Sequence, residues 1–316
     1  MSSPLDFLYL FRDLLRGRGL RFAITSGMAC VRYGLQQNTK DSDWIIAPED
    51  VGELTRLLAA CECRFPPWRV RYRTIFGAPL TREFLAGGWT SHIAVHECPA
   101  DPAHALDWFG RPPRVGAWEA DAEGFANRHV VARMKHTDRP KDWPIVDGLG
   151  WLMRNDDPLA ALLNVQQPRL LRALWERAAP DLRCRALARR PFLAKLDEVA
   201  DDDRLLASMR LERAVWTCVN QKRHQLYRTA WREFYRVWRR EDDWEWPTEE
   251  PFADQHARLL EAVARHRLPR DPLADHGIDS IWRAGLETAA IREETSIEKL
   301  VAVAPPLDEV LPPIHG

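Results

Sequence analysis

Asp41 and Asp43 are the residues of this chain whose type and spacing first point to chemistry. They precede Trp44-Ile45-Ile46, an apolar run whose composition predicts a strand. Side chains two residues apart on a strand lie on the same face, so both carboxylates are expected to face one point, with Ser42 and Trp44 on the other side. Carboxylate oxygens are ligands that Mg²⁺ and Mn²⁺ prefer. We therefore interpret the pair as candidate ligands of a divalent cation.

A turn of small residues, Ser26 and Gly27, lies upstream of this pair. The apolar segment 21–25 before the turn predicts a strand, and residues 28–33 after it predict a helix. A helix that begins behind a glycine turn presents unpaired N–H groups and the positive end of its dipole to a phosphate. Ser26 and Gly27 are therefore candidate phosphate-binding residues.

The combination of Ser26-Gly27, Tyr33-Gly34 and Thr39-Lys40-Asp41-Ser42-Asp43 resembles the DNA polymerase beta-type nucleotidyltransferase superfamily. The smaller members of that superfamily include antibiotic nucleotidyltransferases and abortive-infection type toxins. The resemblance covers roughly residues 20–150. It implies a nucleoside triphosphate substrate, a Mg²⁺ or Mn²⁺ cofactor, and a place for Thr39 beside the nucleotide.

The resemblance also implies a third acidic residue on a later strand. Asp107, within Ala105-Leu106-Asp107-Trp108-Phe109, has the expected apolar surroundings and is the candidate third ligand or general base. Glu97 stands in a second alternating run and remains the alternative. Either acid would also suit a solvated edge strand. His92, His96 and His104 match no zinc spacing, so we expect structural or surface roles for them.

A second block, Val130–Lys135 followed by Arg139-Pro140-Lys141-Asp142, resembles the helix and the basic-acidic turn of the abortive-infection type branch. The resemblance implies that Lys135, Lys141 and Asp142 lie near the nucleotide, where the lysines would neutralise phosphate charge. The alternative is that Lys135 lies over apolar neighbours and that the turn is a solvated ion pair.

Two positions depart from the family pattern, because Gln37 stands where many relatives have Arg and Ile145 where an acid is often found. Asp147 is the nearest replacement for that acid. The leading hypothesis is an enzyme that transfers a nucleoside monophosphate to a protein hydroxyl, an RNA end or a small molecule, with a toxin or defence role. The alternatives are a non-catalytic nucleotide- or RNA-binding module on the same fold, and a scaffold whose helical half binds a protein. An antitoxin partner and the oligomeric state stay open.

The length of 316 residues suits two domains. We predict a nucleotidyltransferase-like α/β domain with a mixed sheet over residues 1–150, and an all-helical domain with a proline-rich C-terminal tail over 151–316. Alternation within Trp68–Phe76 and His92–Val95 predicts further strands. The longest helix is expected from Asp203 to about Arg240.

Charge and composition limit the partners and the cellular compartment that we expect for this chain. The net charge of -1 argues against general nucleic-acid coating, although arginines cluster along the predicted long helix. Because its aromatic stripe is typical of a core, we favour packing over RNA contact there. No apolar run approaches the roughly 20 residues of a membrane span, and Leu5–Leu15 carries charges unlike a signal peptide. Six scattered cysteines suit a reduced compartment, so a cytoplasmic protein without membrane contact is expected.

Overall fold

The protein is a mixed α/β structure with a small mixed sheet, many helices and a long helical C-terminal region. The computed structural model describes residues 4–39, 41–61, 63–65, 77–94, 105–112, 114–241 and 246–311. The chain forms two compact units. The first comprises Met1–Pro112, Trp118–Ala126 and Gln225–Asp275, and the second comprises Pro113–Ala117, Asn127–His224 and His276–Gly316.

The strands are β1 (Phe22–Thr25), β2 (Asp41–Ile46), β3 (Thr90–Ala94) and β4 (Ala105–Phe109). The helices before residue 200 are α1 (Pro4–Gly17), α2 (Ser26–Arg32), α3 (Val51–Ala60), α4 (Arg82–Ala86), α5 (Arg128–Lys135), α6 (Trp143–Leu152), α7 (Pro158–Asn164), α8 (Pro168–Arg177), α9 (Pro180–Arg189) and α10 (Lys195–Glu198). The later ones are α11 (Asp202–Glu241), α12 (Phe252–His266), α13 (Pro272–His276), α14 (Ile278–Arg292), α15 (Ile297–Val301) and α16 (Leu307–Val310).

The sheet has the strand order β1-β2-β4-β3. Strands β2 and β4 are parallel, whereas β1 with β2 and β3 with β4 are antiparallel. One row of paired residues crosses all four strands, in the order Thr25, Asp43, Asp107 and His92. Residues paired in this way have their side chains on the same face, so this row belongs to one face of the sheet.

Large apolar side chains cover the opposite face. Trp44 and Trp108 are fully buried, and their rings stack with centroids 5.4 Å apart. Phe11 of α1 meets the edges of both rings at 5.6 and 6.0 Å. Leu8, Phe11 and Leu15 lie at helical spacing on α1 and are buried, which explains why this charged segment forms a helix against the sheet. The core of the first unit therefore lies behind β2 and β4.

The first unit also contains chain from beyond residue 224. Tyr227 of α11 donates a hydrogen bond to the carbonyl of Gly87 at 2.6 Å, and its ring meets Trp89 with centroids 5.0 Å apart. Gln255 of α12 accepts from the N–H of Phe65 and donates to the carbonyl of Pro247. The sequence division near residue 150 does not anticipate these contacts, because they join residues that are 140 to 190 positions apart.

The second unit is helical. The described residues 151–241 and 246–311, which also include segment 225–275 of the first unit, have helices and no strand, as the sequence predicts. Arg190 and Glu212 form a buried two-fold ion pair with both N···O distances at 2.8 Å, and Arg190 also donates to the carbonyls of Leu162 and Val165. Every polar atom of such a pair must be satisfied because burial removes its water.

Several sequence-based predictions of element bounds can be compared with the structure. Helix α11 confirms the predicted long helix at 203–240. The strand predicted at 92–95 is found as β3, whereas the one predicted at 68–76 lies outside the described residues. The C-terminal segment packs into the second unit as far as Leu311, where Val310 and Leu311 are buried. Among the helices described, none is both long and apolar enough to cross a membrane.

His256 provides a test of the packing in the first unit. Its ring stacks on Phe65 and Phe252 at 5.9 and 5.8 Å, and burial lowers its pKa from 6.5 to about 4. Below pH 6.5 the unfolded chain binds a proton at His256 that the folded protein does not, so stability should fall as the pH falls from 6.5 to 4. With about 1.4 kcal/mol per pKa unit, this residue accounts for roughly 3 kcal/mol.

Urea denaturation at pH 7 and pH 4.5 measures this effect. We expect His256→Gln to lose less stability on acidification than the wild type. His129, whose pKa is also lowered to about 4, retains its share of the slope. The exposed His276→Gln variant is the control and should follow the wild type. An unchanged slope in His256→Gln would show that the ring is protonated in the folded state.

Candidate active site

Strand β1 passes directly into α2, so Ser26 and Gly27 are the first two residues of this helix and not, as the sequence predicts, a turn ahead of it. Ser26 has φ +50°, in the left-handed region that residues other than glycine seldom adopt. Strained conformations of this kind persist where the surrounding structure enforces them, and they are frequent at functional sites. Further along, Gly34 ends the motif segment with φ +73°, and the Tyr33 hydroxyl donates to the carbonyl of Ala126.

Gly27 is needed because two side chains approach it closely. A Cβ atom at this position would lie 2.2 Å from Thr39 Oγ1 and 3.3 Å from Gln36 Nε2. Gln36 donates a hydrogen bond from Nε2 to the carbonyl of Gly27 at 2.8 Å. Thr39 donates in turn to Asp41 Oδ1 at 3.2 Å. The structure thus joins the start of α2, Thr39 and the first aspartate, three features that the sequence predicts to lie together.

The three candidate carboxylates share one face of the sheet. Asp41 and Asp43 are two residues apart on β2, and Asp107 is the register partner of Asp43 on β4. Asp41 is exposed, and Asp43 and Asp107 are half-buried. Across the described residues, no group of three or more His, Cys, Asp or Glu side chains has the spacing to hold a metal ion. Metal binding by this trio stays a prediction. The alternative acid, Glu97, lies outside the described residues.

His92 also lies on this face of the sheet, whereas the sequence analysis expects a structural or surface role for it. It lies on β3 opposite Asp107, and its Nδ1 is 2.5 Å from Asp107 Oδ1. Burial alone would lower the pKa of His92, but the carboxylates of Asp107, Asp41 and Asp43 outweigh it and raise that pKa above 6.5. The sequence signal that could have indicated this position is the alternation of β3, in which His92 lies between Ser91 and Ile93, both of which are buried. His96 and His104 are not among the residues that the structure describes.

Lys135, Lys141 and Asp142 lie in the second unit, whereas the aspartates on the sheet lie in the first. Lys135 is buried at the end of α5, with Nζ 3.7 Å from Asp142 Oδ1. Asp142 Oδ2 also accepts from Arg139 Nε at 2.7 Å and from Thr137 Oγ1 at 2.5 Å. The ammonium group therefore lies beside a carboxylate instead of extending over apolar neighbours. Lys141 is exposed.

The structure gives Asp147 a local function. Its Oδ1 accepts from the N–H of Gln166 and its Oδ2 from Gln167 Nε2, both at 2.6 Å. These bonds hold the residues just before α8, so both carboxylate oxygens are used within the helical unit.

Arg114 fixes the C-terminal end of α5 and was not predicted from the sequence. This buried residue has φ +62° and donates to the carbonyls of Arg133 and Met134. It also donates to Asn220 Oδ1, and Asn220 Nδ2 donates to the carbonyl of His136. Helix ends leave carbonyls without partners, and a buried cation is well suited to satisfy them. The position of Lys135 therefore depends on Arg114.

The aromatic stripe of α11 is part of the core. Trp216, Trp231, Phe234 and Trp238 are buried, as the packing interpretation predicts. Arg210 is exposed and pairs with Glu293 at 2.9 Å. Arg232, Arg236, Arg239 and Arg240 are also exposed. The aromatic rings of this stripe are not a surface on which bases could stack.

Comparison of the chain with protein-family models, with curated proteins and with solved structures found no match. The site is therefore interpreted from its residues and their geometry alone.

Replacement of Gly27 by alanine tests the close approach of Thr39. We expect Gly27→Ala to lower the free energy of unfolding by about 1–3 kcal/mol, since the new methyl group overlaps Thr39. Gly52→Ala is the matched control, because Gly52 also lies in a helix but has open space around its Cα. It should be neutral or stabilising by up to about 1 kcal/mol. Thermal and urea unfolding measure both. Equal effects would contradict the described contact, and adding Thr39→Gly should restore stability to Gly27→Ala.

The pair of Lys135 with Asp142 is tested with methionine. We expect Lys135→Met to cost about 1–2 kcal/mol, because Asp142 retains Thr137 and Arg139 as donors. The exposed Lys141→Met should change stability by less than about 0.5 kcal/mol. Melting curves with nucleoside triphosphate and Mg²⁺ add a second measurement. If Lys135 contacts the nucleotide, Lys135→Met also loses the ligand-induced shift, whereas a purely structural lysine leaves that shift unchanged.

Proposed function

We propose that the protein is a nucleotidyltransferase that transfers a nucleoside monophosphate from a nucleoside triphosphate to an acceptor hydroxyl, with Mg²⁺ or Mn²⁺ as cofactor. The observation that carries this proposal is the common sheet face of Asp41, Asp43 and Asp107 beside the start of α2 at Gly27. Such a site offers carboxylates for a cation and backbone N–H groups for phosphate oxygens. The resemblance of the same residues to the polymerase beta-type superfamily supports it.

The donor set fits a hard divalent cation. Asp41 and Asp43 supply carboxylate oxygens only, from adjacent positions on one face, and Asp41 is open to solvent. When bound, such a cation would neutralise charge on the triphosphate. Thr39, hydrogen-bonded to Asp41 Oδ1, keeps that carboxylate oriented. Ser26 and Gly27 would bring backbone N–H groups towards the phosphates.

Asp107 has two candidate roles, as third ligand or as base. As a base it would take the proton of the acceptor hydroxyl while the acceptor oxygen forms a bond to the α-phosphorus. The bond from the α-phosphorus to the bridging oxygen breaks, and pyrophosphate leaves with that electron pair. The acceptor is a protein hydroxyl, an RNA end or a small molecule, in a cytoplasmic setting. A toxin or defence role is the biological context that the resemblance suggests.

A second candidate is a non-catalytic nucleotide- or RNA-binding module on the same fold. The pairing of Lys135 with Asp142 favours it, since the lysine that the resemblance places at the nucleotide already has an anionic partner. Gln37 and Ile145 also lack the charges found in relatives. Incubation with labelled triphosphates separates the two hypotheses, because only the enzyme leaves label covalently attached to an acceptor from a cell lysate.

The aspartates on β2 provide the main test. We expect Asp41→Asn and Asp43→Asn each to abolish Mg²⁺-dependent triphosphate binding and transfer, because Asn keeps the shape but loses the charge that attracts the cation. The proteins should fold, and without ligand they should be as stable as the wild type or more so, since repulsion between neighbouring acids is relieved. Thermal melts with and without Mg²⁺ and nucleotide measure both effects.

Asp13→Asn serves as the control, because Asp13 is an exposed aspartate of α1 in the same unit. It should retain the full ligand-induced shift. Wild-type behaviour in both β2 variants would show that these aspartates are solvated strand residues, and the proposed metal site would be wrong.

A further inference from the structure

We propose that His92 is a positioning residue that holds Asp107 as the base on the acceptor side of the site, leaving Asp41 and Asp43 to bind the cation. This inference rests on the proposed nucleotidyltransferase function. It assigns a role to a histidine that the family resemblance does not include, and it decides between the two roles open to Asp107.

The first step is the contact between the two side chains. His92 Nδ1 lies 2.5 Å from Asp107 Oδ1, and the exposed fractions of the two side chains are 24% and 17%. With the proton on Nδ1, the ring donates to one carboxylate oxygen and leaves the other available. A hydrogen bond of this kind limits rotation of the carboxylate, and it is charge-assisted and strong.

The second step is the rigidity of the strand that carries His92. On either side of it, Ser91 and Ile93 are fully buried. Ser91 Oγ donates to the carbonyl of Ala78 at 2.7 Å, and Ser91 also forms a β-bridge with Gly77. The strand cannot turn without exposing these neighbours, so the ring is held at Asp107.

The third step concerns the position of Asp107 between the aspartates of β2 and His92. Because the strand order is β2-β4-β3, Asp107 lies between the aspartates of β2 and His92. The contact with His92 therefore holds Oδ1 of Asp107 on the β3 side of the sheet face, the side opposite to Asp43. Asp41 and Asp43 remain as the cation pair, and Asp107 is turned towards the acceptor side.

In the transfer step, the free oxygen of Asp107 takes the proton of the acceptor hydroxyl. The acceptor oxygen bonds to the α-phosphorus, the bond to the bridging oxygen breaks, and pyrophosphate leaves. His92 keeps its own proton throughout and acts only by holding Asp107.

Three substitutions at His92 separate positioning from packing. Asn places an amide N–H near the position of Nδ1, Gln places it further out, and Ala removes it. We expect His92→Gln and His92→Ala to lower kcat by about 10- to 100-fold, with little change in KM for the triphosphate or in the Mg²⁺ concentration for half-maximal rate. His92→Asn should stay within about threefold of the wild type. The exposed His276→Gln variant is the control.

Variants of Asp107 complete a double-mutant cycle with His92. Asp107→Asn should reduce transfer to a small residual rate yet retain Mg²⁺-dependent triphosphate binding in thermal melts. The double variant Asp107→Asn with His92→Ala should be no slower than Asp107→Asn alone, because His92 acts only through Asp107. Melting temperatures establish that each variant is folded at the assay temperature. His92→Gln retains a polar side chain of similar length if His92→Ala unfolds.

Each outcome decides the question. Wild-type kcat in His92→Ala, or equal losses in His92→Asn and His92→Ala, would overturn the inference while the enzyme assignment stands. A raised Mg²⁺ requirement with unchanged kcat would overturn it too, since Asp107 would then be a cation ligand. If the wild type neither binds triphosphate with Mg²⁺ nor transfers it, the proposed function itself fails and this inference fails with it.

Discussion

Trp44 and Trp108 stack on the buried face of the sheet, and this contact fixes the pairing of β2 with β4. The side-chain period of a strand is two, so a slip of one residue would bring an aspartate into the core and a tryptophan into solvent. Burial of two indole rings against Phe11 makes that slip very costly. The apolar packing on one face therefore places Asp43 directly beside Asp107 on the other.

Neighbouring carboxylates repel one another, and the structure limits this cost in three ways. Asp41 is exposed, so water screens its charge. Thr39 donates to Asp41, and His92 lies against Asp107 with a pKa that the carboxylates raise. A site with surplus negative charge attracts cations, and this electrostatic property does not depend on the identity of the acceptor.

The sequence predicts the local parts of this arrangement. Alternation around Asp41 and Asp107 and the small residues at Gly27 are contained within short segments, so their strands and the change from strand to helix could be inferred. Asp107 and Glu97 could not be separated from the sequence, because both stand in strand-like runs; the structure pairs Asp107 with Asp43, and Glu97 lies outside the described residues. His92 and Arg114 were missed for a similar reason, since each acts on a residue from another element.

Glycines show the limit of local inference. Gly150 lies within α6, and a Cβ atom there would be 2.7 Å from the backbone nitrogen of Val165, so the close approach of Val165 requires glycine at this position. Glycine is favoured both at the end of a helix and where two elements approach closely, and the sequence alone does not distinguish these two cases. The division predicted near residue 150 was drawn from the change from strand patterns to helix patterns, which does not indicate that Gln225–Asp275 belongs to the first unit.

The ion network around Lys135 determines how firmly its buried ammonium group is held. Asp142 has donors in Thr137 and Arg139, so it stays hydrogen-bonded if Lys135 leaves it. The distance of 3.7 Å from Nζ to Oδ1 is longer than a hydrogen bond, which makes this member of the network the easiest to exchange. Removal of Arg139 would leave Thr137 and Lys135 as the side chains described beside the Asp142 carboxylate oxygens, so the lysine would be held more firmly.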